Sequence, residues 1–68
     1  MKAIDLLKTF SEERLSGLVV EIRVNNGDYK CVVYSNKEAL DEDPILQREM
    51  IDWFIDMVDL AARLVVTV

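Results

Sequence analysis

The stretch Pro44–Val68, PILQREMIDWFIDMVDLAARLVVTV, carries the only Trp, two of the three Met and one of the two Phe of a 68-residue chain, so its reading decides the fold. Placed on a helix, Arg48, Asp52, Asp56, Asp59 and Arg63 recur at steps of three or four and form one polar stripe. Ile45, Ile51, Ile55, Val58 and Ala62 flank one side of that stripe; Leu46, Met50, Trp53, Phe54, Met57, Ala61 and Leu64 occupy the other. Asp43-Pro44 suits a helix start, with Asp as N-cap and Pro in the first turn. The pattern predicts a long C-terminal helix from Pro44 to near Leu64. The last five residues, Leu64-Val65-Val66-Thr67-Val68, are mostly β-branched, and a short third strand is the alternative there.

Upstream, Leu18 to Ser35 alternates apolar and polar residues on either side of Asn25-Asn26-Gly27-Asp28. An Asn-Gly pair between two such runs is a strong hairpin signal, because a tight turn needs positive φ at its centre. A two-residue Asn26-Gly27 loop sets Val24 opposite Tyr29, Ile22 opposite Cys31 and Val20 opposite Val33, with these six and Leu18 on the core face. On that register Cys31 is a small buried hydrophobe.

Residues 2–15 predict one amphipathic helix with Ala3, Leu6, Leu7 and Phe10 inward, stopped at Ser16-Gly17; a restart through Thr9-x-x-Glu12 is the alternative. Ser35-x-x-Glu38 opens one short helical turn over 36–40. The expectation is one α+β domain spanning residues 1–68: an N-terminal helix, a two-stranded antiparallel hairpin and a long C-terminal helix, the helices on one sheet face.

Composition narrows the chemistry. With no His and a single Cys, neither acyl-transfer triads nor the usual zinc constellations are built, and the two glycines serve a helix stop and a turn rather than a phosphate loop. No catalytic, cofactor-binding or metal residue is assigned. Carboxylates of Asp52, Asp56 and Asp59, or of Asp41-Glu42-Asp43, are the minor route to a metal-binding protein, but no alternating ligand pattern with a central Gly accompanies them. Asp5 and Lys8 interrupt the N-terminal apolar run, which argues against a secretory leader, and Asp52, Asp56, Asp59 and Arg63 argue against a membrane span in the C-terminal stretch. A cytoplasmic location is expected.

The net charge of −5 is unevenly spread. Between residues 38 and 59, Glu38, Asp41, Glu42, Asp43, Glu49, Asp52, Asp56 and Asp59 face Arg48 alone, a local balance of −7. Such a surface repels nucleic-acid backbones and attracts basic protein surfaces. Two functions follow. The first is an inhibitor-like protein-binding module, of the kind phage and mobile elements use in counter-defence, that blocks a basic or nucleic-acid-binding surface with these eight carboxylates, as phosphate mimics in one version, and with Trp53 as an apolar anchor. The second is a homodimeric structural or accessory protein assembled through the C-terminal helix.

Overall fold

The computed structural model describes residues 1–24, 27–58 and 61–68, with the side chains of Val58 and Ala61 also set aside. Three short helices, one 3-10 turn and four strands follow in the order α1 (Ala3–Leu7), α2 (Glu12–Ser16), β1 (Val19–Arg23), β2 (Tyr29–Val32), α3 (Lys37–Asp41), the 3-10 turn (Pro44–Gln47), β3 (Asp52–Val58) and β4 (Ala61–Thr67). The strands form one mixed sheet in the order β2-β1-β4-β3, antiparallel except for the central β1–β4 pair. The α+β class holds. The long C-terminal helix does not: the stretch read as helix makes one 3-10 turn and then a β-hairpin.

The physical reason lies in the spacing. Asp52 and Asp56 are four residues apart, and four is close to one turn of helix as well as two repeats of a strand, so either structure puts both on one face. What separates the two is the burial of Leu64, Val66 and Val68, at steps of two, against the helices. Only a strand places those three β-branched or γ-branched residues side by side on the core. Asp43 does cap, accepting from the Ile45 backbone N–H at 3.4 Å, and Pro44 sits in the first turn, but the turn closes at once.

Two smaller expectations change. The N-terminal segment breaks into α1 and α2, because the Ser11 side chain accepts from the Arg14 N–H at 3.3 Å and Thr9 Oγ1 donates to the Leu6 carbonyl at 2.6 Å. Those bonds compete with the helical ladder and start a second helix at Glu12. The one-turn helix near residue 37 is present, capped by Asn36, which accepts from Ala39 N–H, rather than by Ser35.

The first hairpin forms in a different register. Val20 pairs with Val32, Glu21 with Cys31, Ile22 with Lys30 and Arg23 with Tyr29. Asn26, on which the two-residue loop was centred, lies outside the described residues, as does Asn25. Gly27 takes φ of 98°, the Val24 N–H donates to the Asp28 carbonyl at 2.8 Å and the Gly27 N–H to the Val24 carbonyl at 2.9 Å. A bond between 24 and 28 leaves three positions in the loop, not two, and a slip of one residue turns every side chain of β2 over. Tyr34 and Val32 therefore face the core, while Tyr29, Cys31 and Val33 are on the opposite face; Cys31 is an exposed thiol.

One sheet face is covered. Ala3, Ile4, Leu6 and Leu7 of α1, Leu15 of α2, Leu40 of α3 and Leu46 of the 3-10 turn pack on Val20, Ile22, Leu64 and Val66. The other face carries no helix, and the molecule is a two-layer slab of 29 × 28 × 17 Å.

Candidate functional site

The acidic residues read as one stripe separate in space. Glu38, Asp41, Glu42 and Asp43 lie at α3 and the following turn; Glu49 precedes β3; Asp52 and Asp56 stand on β3; Asp59 lies outside the described residues. Several have partners within the chain. Asp41 pairs with Lys8 at 3.2 Å, Glu49 with the Met1 amino group at 2.9 Å, and Asp43 with Lys30 at 2.9 Å. A single row of phosphate-like charges is not what the fold builds, because the helix that aligned them is absent. Among the described residues no cluster of three His, Cys, Asp or Glu side chains is placed to hold a metal, and no helix is long and apolar enough to cross a membrane.

The sheet instead builds two features that the sequence did not disclose. The first is on the uncovered face. Glu21 is buried at 5% exposure and accepts from Arg23 Nε and from Arg63 Nη1, the latter at 2.9 Å across the parallel β1–β4 pair. The Arg23 bond comes first among the effects that hold the Glu21 carboxyl below its ordinary range, with Arg63 acting in the same direction and burial opposing both. Arg23 also lies over the Phe54 ring, 5.8 Å from its centre, so one arginine ties β1 to the outer hairpin. Tyr29, Cys31 and Thr67 complete a shallow concavity of about 680 Å³ around these charges. The glutamate neutralises one of the two arginines and orients both, which makes the group a structural clasp on a surface without a helix.

Glu21→Gln keeps the shape and removes the charge. Its expected cost is about 1–2 kcal/mol at pH 7, the net worth of hydrogen bonds to a charged group. A carboxylate with a lowered folded pKa contributes stability above its ordinary value of 4.5, and that contribution is lost as pH falls through the folded pKa. Urea midpoints of wild type and variant should converge as the pH falls from 4.5 through the folded pKa, and a gap that is constant with pH would contradict the ion-paired assignment.

The second feature is an edge. The two outer strands of the sheet are β2 and β3. β2 has four residues and includes Lys30, two of the devices by which proteins blunt an edge against further pairing. β3 has seven residues, with no Lys, Arg, Pro or Gly. Its main contacts are to β4. Trp53, Ile55 and Met57 share the helix-side face with Leu64 and Ala62 but remain 45%, 53% and 65% exposed. Phe54 is exposed on the opposite face, between Asp52 and Asp56. Beside Ile55, Phe10, Gly17, Leu18 and Ala62 line a largely apolar groove of about 290 Å³, to which Glu13 and Arg14 of α2 also contribute. Of the residues singled out in the sequence, Trp53, Asp52 and Asp56 belong to this edge. Ile55 and Met57 do not stand out in a helical reading, which buries them; alternation of Trp53, Ile55 and Met57 with Asp52, Phe54 and Asp56 is the signal that would have found them.

Comparison with protein families, with curated proteins and with solved structures returns no match to this chain, so the reading of these two features rests on their own chemistry.

Proposed function

We propose that this chain is a small protein-binding module that docks by strand addition at β3 and has no catalytic step of its own. The observation that carries the reading is the contrast between the two edges: β2 has four residues and carries Lys30, whereas β3 has seven, leaves Trp53, Phe54, Ile55 and Met57 exposed, and bears its charges, Asp52 and Asp56, on the face away from the helices. An exposed strand of this kind offers main-chain N–H and C=O groups to another strand, and side chains alternating to either side give selectivity; the Trp53 N–H donates to the Asp52 carboxylate at 2.8 Å and would exchange that partner on docking. Trp53 is the anchor, a large half-exposed ring on the same strand face as Ile55.

A second reading keeps the acidic surface as the contact. Glu38 and Glu42 are exposed beside Asp41 at one corner of the helical layer and would suit a basic protein surface, in the manner of an inhibitor that caps it.

One capture experiment separates the two. Tagged wild type, Ile55→Lys and the double variant Glu38→Lys/Glu42→Lys are recovered from cells that also make the untagged chain, and every recovered protein is counted, untagged copies included. The expected result is at least a tenfold loss with Ile55→Lys, on the order of 1.4 kcal/mol or more, and little change with the double variant. The reverse pattern favours the acidic corner. Recovery unchanged in both variants would defeat both readings.

A further inference from the structure

We infer that the strand added at β3 is β3 of a second copy of this chain, antiparallel and in register about Ile55. The inference rests on the reading of β3 as a docking edge and names its occupant.

The argument begins with symmetry. Two copies that continue one sheet across a twofold axis normal to it pair antiparallel, and paired residues must point to the same side. Side chains alternate, so the two members of each pair have both odd or both even numbers, and one residue sits opposite itself. Few registers overlap much of β3. Centring on Phe54 sets Asp52 directly against Asp56 of the second copy, twice over; centring on Asp56 sets that aspartate against itself. Like charges directly opposite destabilise a sheet. Centring on Ile55 pairs the whole of residues 52–58 and puts no acid directly opposite an acid. In that register Trp53 meets Met57 of the second copy, Ile55 meets Ile55, and Phe54 lies opposite Asp56. An aromatic and a thioether make a favourable pair.

The surroundings agree with this centre. Trp53, Ile55 and Met57 are the residues on the helix-side face of β3 that no helix covers. Ile55 also lines the groove formed by Phe10, Leu18 and Ala62 with Glu13 and Arg14 of α2, so the groove of each copy lies beside the proposed axis. Alternate residues of β3 turn their N–H and C=O groups away from β4, and the second copy supplies partners for them. The result is a sheet running β2-β1-β4-β3 through one copy and back from β3 to β2 in the other, with the two blunted β2 strands as its only outer edges.

The experiment uses the purified full chain. Sedimentation equilibrium at about 100 μM should return twice the monomer mass, and Ile55→Lys should raise the dissociation constant at least thirtyfold, the size of a hot-spot loss. Register is read by cross-linking in a Cys31→Ser background, which removes the exposed thiol. Ile55→Cys should oxidise to a disulfide-linked dimer, since directly opposed residues fall within the Cα separation a disulfide spans. Trp53→Cys alone should not cross-link, but mixed with Met57→Cys it should give the heterodimer. These positions are exposed, and circular dichroism checks that each variant folds. A monomer at that concentration overturns the inference, and so does a dimer whose Ile55→Cys form fails to cross-link. The protein-binding reading survives either result if Ile55→Lys still loses recovered protein, and falls separately if it does not.

Discussion

Leu64→Ala is expected to destabilise the protein by about 3–4 kcal/mol, the range for deleting a buried leucine whose surroundings collapse only in part. Leu64 has no exposed surface, stands on β4 between β1 and β3, and packs in the same cluster as Leu7, Leu15 and Ile22. A domain of this size has about 3–10 kcal/mol of total stability, so the loss is a large share of it. Ile55→Ala, across the β3–β4 pair from Leu64, is the control. Ile55 is 53% exposed, and truncation there should cost less than about 1 kcal/mol in the monomer. Urea denaturation of the two variants, at protein concentrations dilute enough to remove association, checks the difference. Equal costs at the two sites would contradict the placement of β3 at the edge.

Asp43→Ala should cost about 2–3 kcal/mol, because one carboxylate holds three groups, one of them the hydroxyl of the buried Tyr34. Its Oδ2 accepts from the Tyr34 hydroxyl and from Lys30 Nζ, each at 2.9 Å, and its Oδ1 caps the 3-10 turn. Tyr34 is buried, so loss of its acceptor strands a hydroxyl in the core. Asp43→Asn keeps one acceptor oxygen, for the Tyr34 hydroxyl or for the Ile45 N–H but not for both, and loses the charge, so it should recover only part of that cost. The pH dependence follows in sign. Burial raises the Asp43 carboxyl, but the bonds from Lys30 and Tyr34 outweigh it and leave the pKa below 3.8. A lowered folded pKa means stability that is present above the ordinary value and lost as pH falls through the folded one. Tyr34 runs the other way. Burial first, then Asp43, push its phenol above the ordinary value of 10.0, so its contribution is present below pH 10 and lost as the pH rises through the folded pKa. Thermal melts across pH should therefore fall at both ends in wild type. In Asp43→Ala the acid limb should flatten.

The inversion of β2 and the replacement of the C-terminal helix have related causes. In β2, alternation marked the strand, but both its odd and its even residues include apolar side chains, Val32 and Tyr34 on one set and Tyr29, Cys31 and Val33 on the other. A pattern with apolar residues on both faces leaves the register to the loop, and a difference of one loop residue reverses the strand. In the C-terminal stretch, acids four apart satisfied both periods, and apolar residues surrounded them on every side. Local pattern had two solutions, and the core chose between them.

By itself the sequence determined the α+β class, the strands of the first hairpin, the Gly17 stop and the cap at Asp43 with Pro44 in the first turn, though not how short that turn is; over the last residues a strand is only its alternative to a helix. Each of these depends on neighbours within a few positions: a cap, a φ, an alternation. Only the tertiary structure decided that β4 lies beside β1, a parallel pair linking Val19 to Arg63 and Arg23 to Thr67, and no local rule couples positions 44 residues apart. That pairing carries Val20, Ile22, Leu64 and Val66 into one core, joins Glu21 to Arg63, and places β3 at the margin. The apolar surface of Pro44–Val68 is thereby divided, with β4 buried inside the sheet and β3 left open for a second chain.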